Sequence, residues 1–453
     1  MSKTNNSKWD VILVGGSAAG VTAAITIRRH YPDKKVLIIR KEEYVPIPCG
    51  IPYIYGTLGS PEKNLIPDAL LEKNKIDRRV GTVDSIDRNA KTVSIGKETL
   101  GYDRLILATG SLPTRPPIPG IDLEGVFTIE KDVDYLAALQ KKLESAKRVV
   151  IIGGGFIGIE FADEINKSGG KHITVIEMEA NCLNLAYDPE FCEEMENLLT
   201  SRGIEIRTST MVKALEGNGR VQNVQLQDGT AVETDLVILG IGSRSNADLA
   251  KACGLKIGPS GGVAVDRNMR TSDPSIFACG DCTEKVSFFG GHACLLKLAS
   301  IAELEARIAG ANLYGIRRES AGTVGVWCTA VGPLALGTAG LTEAAAGKLG
   351  YKVVCASVEG PNRHPGGMPG AAPTKLKLVF EANSGVLLGG QIRGGDSIGE
   401  MTNIVAACVQ KKMTVEDIAT FQMGTHPALT ASPIAYHIVN AAEIADQRLR
   451  KET

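Results

Sequence analysis

Arg148-Val149-Val150-Ile151-Ile152 runs directly into Gly153-Gly154-Gly155-Phe156-Ile157-Gly158; a helical stretch to about Ser168 then leads to His172-Ile173-Thr174-Val175-Ile176-Glu177. An apolar strand, a glycine turn, a helix and a second apolar strand ending in an acid are the parts of a dinucleotide-binding unit. Each residue type has a physical reason to be there. The glycines let the backbone approach a pyrophosphate, the helix N-terminus offers N–H groups, and Glu177 can accept both hydroxyls of a ribose. An acid there repels a 2′-phosphate, so the spacing points to NADH rather than NADPH.

The same pattern occurs earlier in the chain. WDVILV (9–14) ends in Gly15-Gly16-Ser17-Ala18-Ala19-Gly20, followed by the helical VTAAITIRRH and the apolar VLIIR (36–40). This copy is less regular: Ser17 takes the middle glycine position, and the second strand ends in Arg40, followed by Lys41, rather than in an acid, leaving Glu42 or Glu43 as open alternatives for a ribose contact. Other segments suit a flavin. LILATG (105–110) reads as a strand ending in a small-residue turn at Thr109-Gly110, and PTRPPIPG (113–120) reads as a linker between domains. TSDPSIFACGD (271–281) places a short strand before Gly280-Asp281, where a carboxylate can bond a ribityl hydroxyl, and GIGSRSN (240–246) contributes Gly242.

Composition narrows the function classes. A length of 453 residues suggests about three domains. With 50 Lys and Arg against 51 Asp and Glu, the net charge is -1, without the basic footprint of a nucleic-acid binder. No polybasic segment addresses an anionic membrane. The 51 glycines lie well above the usual share of about 7%. MSKTNNSKWD (1–10) lacks the pattern of a secretory leader, and no apolar run reaches a membrane span of ~18 residues, so the cytoplasm is the expected compartment. Ten cysteines in such a chain read as reduced thiols, and no metal-ligand spacing appears, so no metal is expected.

In this order the motifs resemble the flavin-dependent pyridine nucleotide-disulfide oxidoreductases over nearly the whole chain. The resemblance implies an α/β fold: two Rossmann-like nucleotide-binding domains of glutathione-reductase type plus a C-terminal α+β dimerisation domain. Residues 1–118 with 247–325 would hold FAD, 119–246 NADH, and 326–453 would form a homodimer. By the resemblance, Gly15, Ser17, Ala18, Gly20, Arg40, Lys41, Thr109, Gly110, Gly280 and Asp281 are FAD contacts. Gly153, Gly155, Phe156, Gly158, Glu160 and Glu177 are NADH contacts, with Gly242 a further cofactor contact and Phe156 gating nicotinamide access.

YVPIPCGIPY (44–53) carries the subclass. Two-cysteine relatives have a partner five positions after the first cysteine; here that position is Ile54, so Cys49 works alone. This resembles the single-cysteine branch of NADH oxidases, NADH peroxidases, coenzyme A disulfide reductases and persulfide reductases. Gly50-Ile51-Pro52 reads as a helix start that would favour a Cys49 thiolate. Ala18 stands where oxidases and peroxidases carry a histidine, which moves the resemblance toward the disulfide and persulfide reductases. Coenzyme A binding stays open: Thr26 stands where a polar or basic contact is common and Arg28 and Arg29 are retained, but NRHPGGMPG (362–370) and GTHPALTASP (424–433) replace expected tyrosines. His426-Pro427 resembles the His-Pro pair of two-cysteine relatives, with Ala431 in place of the glutamate. It reads as an acid–base group or an interface histidine, and His364 as structural. Cys279 and Cys282, inside FACGDC, read as structural; Cys408 reads as core, and Thr414 with Asp417 as a capping box. A rhodanese-like extension is not expected within the 453 residues.

The implied activity is an NADH-dependent reduction, through FAD and Cys49, of a small-molecule disulfide or persulfide. The alternatives are an NADH oxidase reducing oxygen or peroxide through a Cys49 sulfenic acid, and an electron carrier to a protein partner.

Overall fold

A computed structural model describes residues 8–452; residues 1–7, on which most of the leader reading rests, lie outside the described residues. The chain divides into two compact units. One comprises Met1–Pro117, Gly125–Ala146 and Ile241–Thr323, the other Ile118–Glu124, Lys147–Gly240 and Val324–Thr453.

In the first unit, β1 (Lys8–Val14), α1 (Ala18–His30) and β2 (Val36–Arg40) form the first nucleotide-binding segment. β1 pairs in parallel with β2 on one side and with the strand Glu98–Leu107 on the other, which also pairs in parallel with Ile276–Ala278. Both faces of β1 are covered, Ile12 and Leu13 being fully buried on opposite sides, which is why the run is continuously apolar. α1 buries Ala23, Ala24 and Ile27 in a cluster with Ala306 and Ala309 of the helix Ala299–Asn312; the small side chains let the two backbones approach.

In the second unit, β3 (Arg148–Ile152), α2 (Phe156–Asn166) and β4 (His172–Ile176) repeat the arrangement. β3 pairs in parallel with β4 and with Leu236–Leu239, and β4 with Glu205–Arg207. The same unit contains a five-stranded antiparallel sheet in the order β5 (Val326–Val331), Leu334–Gly340, Leu387–Gly394, Pro373–Glu381, Val353–Pro361. The helix Ile398–Gln410 packs against it and buries Val405 and Cys408, so Cys408 is core as expected. Thr414 and Asp417 form the expected capping box at the helix Val415–Ala419. Among the described residues no helix is long and apolar enough to cross a membrane.

Candidate active site

The two glycine turns are built alike. Gly15 N donates to Ile39 O at 2.8 Å, and Gly153 N to Ile176 O at 2.8 Å. Gly15 has φ 117° and Gly153 φ 106°, a region closed to most side chains. A Cβ on Gly20 would lie 1.9 Å from Gly15 O, and one on Gly158 1.9 Å from Gly153 O, so each helix can approach its strand only through glycine. Ser17 and Gly155, the N-caps of α1 and α2, make no side-chain cap, and neither first turn holds an acid. Two uncapped helix starts of this kind fit the pyrophosphates of FAD and NADH, with Ser17, Ala18 and Gly155 at the entry.

The acid position differs between the copies. Strand pairing sets Ile39 opposite Val14 and Ile176 opposite Ile152, which makes Arg40 the counterpart of Glu177. Glu177 accepts from Gly154 N at 2.6 Å and from Glu179 N at 2.8 Å. Arg40 has a side chain only 1% exposed. Its guanidinium forks onto both Asp68 oxygens at 2.7 and 3.0 Å and donates to Glu43 O. Its stem fills the space where a Cβ on Gly16 would come within 2.7 Å. Burial and this fork make Arg40 a strut at the strand end. Lys41 and Glu43 are exposed beside it, and Lys41 pairs with Glu42 at 3.4 Å.

Around the expected flavin turns, Thr109 Oγ1 donates to Asn246 O at 2.6 Å, and Gly110 O accepts from Asn246 N at 2.9 Å. Gly242, φ 87°, accepts from Thr114 N at 3.0 Å. Asp281 accepts from Ser111 Oγ at 2.8 Å, with Lys131 Nζ at 3.8 Å. Gly280 sits between two buried side chains that the sequence reading missed. Glu305 accepts its N–H at 2.8 Å, while Lys285 donates to its carbonyl at 2.6 Å and to Glu305 at 2.7 Å. Burial pushes the Glu305 carboxyl up, against the pull of Lys285. The two residues belong to different segments, and neither carries a motif. Cys279 and Cys282 are fully buried, with Cys282 Sγ against the Leu107 and Cys279 carbonyls, which agrees with a structural role.

Cys49 is exposed, while Ile54, at the position of the second cysteine, is fully buried. The expected helix start beside Cys49 is corrected: two 3-10 turns, Pro48–Gly50 and Pro52–Tyr55, replace an α-helix. Pro48 and Pro52 lack the N–H groups that a longer helix would need, and turns this short carry little dipole. The turn is pinned by the buried Asn64, which donates through Nδ2 to Ile47 O at 2.9 Å and fills the space where a Gly50 Cβ would fall. Thr26 is buried and donates to Thr22 O, and Arg28 donates to the carbonyls of Asn74, Pro32 and Lys34, so both serve the fold.

In the second unit Phe156 opens α2 and Glu160 lies one turn later. The Phe156 ring stacks on Trp327 with centroids 6.1 Å apart and planes at 8°. Thr329 Oγ1 donates to Glu160 Oε1 at 2.9 Å, and burial pushes the Glu160 carboxyl up to about 7. The two histidine segments meet: His364 N donates to Pro427 O at 3.1 Å, and His364 Nδ1 lies 3.0 Å from Thr430 O. His426 is exposed, and its Nδ1 accepts from Ala428 N at 3.2 Å.

Residues 9–306 match the profile of the family Pyridine nucleotide-disulphide oxidoreductase, and residues 327–434 that of its dimerisation domain. The chain belongs to the pyridine nucleotide-disulphide oxidoreductases. Among members of this family, an NADH oxidase of Methanocaldococcus jannaschii is 31% identical over 430 residues, covering 92% of this chain and 95% of the relative. An NAD(P)H coenzyme A polysulfide/persulfide reductase of Pyrococcus horikoshii is 32% identical over 420 residues, covering 91% and 93%. The solved structure of an NAD-dependent persulfide reductase from A. fulgidus superposes with a TM-score of 0.90 at 29% identity, over 98% of this chain and 84% of that one. The chain is thus a flavin-dependent pyridine nucleotide oxidoreductase of glutathione-reductase-like α/β fold, from a family that uses FAD and NAD(P)H.

Proposed function

We propose that the protein reduces a small-molecule persulfide or disulfide with NADH, through Cys49. The observation that carries this reading is an exposed Cys49 in a turn pinned by Asn64, in the unit that holds the first glycine turn, with Ile54 where a resolving cysteine would stand. FAD, when bound, supplies hydride acceptance from NADH and delivery of two electrons to sulfur. The chain's residues do the rest. The first glycine turn with Thr109, Gly110, Gly280 and Asp281 holds the flavin nucleotide; the second with Glu177 holds NADH; residues 326–453 join two copies. The Cys49 thiolate attacks a persulfide RSSH at the inner sulfur, giving a mixed disulfide and HS⁻, or at the outer sulfur, giving a Cys49 persulfide and RS⁻. Two electrons then break the new S–S bond and return the thiolate.

The homodimer is supported by the match to the dimerisation domain and by Leu429 and Ile434, which are 70% and 87% exposed on either side of the His426 segment's end. In such a dimer His426 would serve as the acid–base group for a leaving thiol. A cytoplasmic setting suits ten cysteines that form no disulfide. A second reading, NADH oxidase, is favoured by the Methanocaldococcus relative. Anaerobic NADH consumption with coenzyme A disulfide, scored by thiol released per NADH, and with coenzyme A persulfide, glutathione persulfide and polysulfide, scored by sulfide released per NADH, tests the first reading. NADH turnover that requires oxygen and releases no sulfide favours the second.

A further inference from the structure

α2 presents Phe156 and Glu160 on one face, four residues apart, and β5 presents Trp327 and Thr329 on one face, two residues apart. The two stripes meet in register, Trp327 on Phe156 and Thr329 on Glu160. Trp327 has two close neighbours, Gly325 and Phe156. A Cβ on Gly325 would fall 2.2 Å from the outer edge of its six-membered ring, so only glycine leaves room for the indole there, and the Phe156 ring lies parallel to the indole at 8°. Thr329 is buried, which fixes its hydroxyl toward the carboxyl it serves.

We propose that Trp327 and Thr329 are positioning residues for the nicotinamide end of the NADH site, Trp327 holding the Phe156 ring and Thr329 orienting the Glu160 carboxyl. This rests on the reading that NADH binds at the second glycine turn. The segment matched as a dimerisation domain thereby takes part in hydride entry from within its own chain. A ring held by stacking keeps fewer rotamers, and a carboxyl held by a hydroxyl donor presents a chosen oxygen to the ligand. The groups that face Glu160 are Glu164 on its own helix, Tyr187 on the segment leading to the helix Pro189–Ser201, and Thr329 on β5. Among these, only Thr329 lowers the Glu160 carboxyl, through its hydrogen bond.

The test is anaerobic stopped-flow reduction of the FAD-loaded full chain by NADH, read at the flavin band across pH 5.5 to 9. Thr329→Val removes the donor at constant shape and should move the inflection of the rate profile upward by roughly one unit. Thr329→Ser keeps the hydroxyl and should overlay the wild type. Trp327→Ala should lower the maximal rate or raise the NADH concentration for half-maximal rate on the order of tenfold, and Trp327→Phe by less than about twofold. Thr329→Ala substitutes for the valine variant if that one does not accumulate, and unchanged Tm with full FAD content separates positioning from loss of fold. Wild-type flavin that NADH does not reduce sinks the NADH reading itself. Normal wild-type reduction with a Thr329→Val profile superimposed on it, or a serine variant displaced as far as valine, overturns the role of Thr329. An unaltered Trp327→Ala overturns that of Trp327.

Discussion

Arg40 and Glu177 occupy the same position in two copies of one structural unit, each at the end of the strand that follows the glycine-turn helix. In the second copy the carboxylate stands at the turn, bonded to Gly154 N. In the first, the guanidinium is buried and its two terminal nitrogens are bonded to Asp68 and a carbonyl, so the side chain braces the unit from inside. One fold position has been put to two electrostatic uses.

Arg40→Met should lower FAD retention and thermal stability. It takes the Arg40 fork from the partly exposed Asp68, which keeps only Arg78, costing about 1–3 kcal/mol, less than for a fully buried pair. Asp68→Asn should cost less than Arg40→Met, since one hydrogen bond survives. Thermal unfolding with flavin release as a second signal checks the order; a larger loss for Asp68→Asn than for Arg40→Met would overturn it.

Glu177→Ala should raise the KM for NADH by about tenfold or more, because it removes the ribose acceptor together with the partner of Gly154 N and Glu179 N. It should also narrow the preference for NADH over NADPH, since repulsion of a 2′-phosphate disappears. Steady-state kinetics with both nucleotides decide this; an unchanged ratio would detach the preference from Glu177.

Cys49→Ser should leave FAD binding and flavin reduction by NADH near wild type, because neither needs the sulfur. Sulfide release from persulfides should vanish, since a serine hydroxyl is too weakly acidic to attack sulfur at neutral pH. Persistent persulfide turnover in this variant would return the protein to the oxidase or electron-carrier reading.

Asp188 should make the second unit acid-sensitive. Burial works to raise its carboxyl, but hydrogen bonds from Gln391 and Lys377 outweigh it and hold the group below its ordinary value. A depressed carboxyl contributes stability that is present above the unfolded value of about 3.9 and lost as pH falls through the folded one. Urea unfolding at pH 7 and pH 3 should therefore show a larger drop for wild type than for Asp188→Asn; equal drops would remove Asp188 from the account.

Both nucleotide-binding units are legible in the sequence because the signals are local. Five apolar residues, a glycine turn and a helical stripe each lie within a few residues of one another, so the hydrogen bonds from Gly15 and Gly153 follow from chain geometry. The lone cysteine of the 44–53 segment is legible for the same reason, Cys49 and Ile54 sharing one short stretch. The helix expected beside Cys49 was misread because two prolines and the distant Asn64 decide that turn. What the sequence by itself determined is the family, the pair of glycine turns and the lone cysteine. Only the tertiary structure decided that Arg40 pairs with Asp68 across 28 positions, that Lys285 and Glu305 clasp Gly280, and that Thr329 reaches Glu160 across 169. A local motif is held by the stiffness of the backbone. A distant pair of polar side chains is brought together by the packing that buries both, and burial is what makes each require the other.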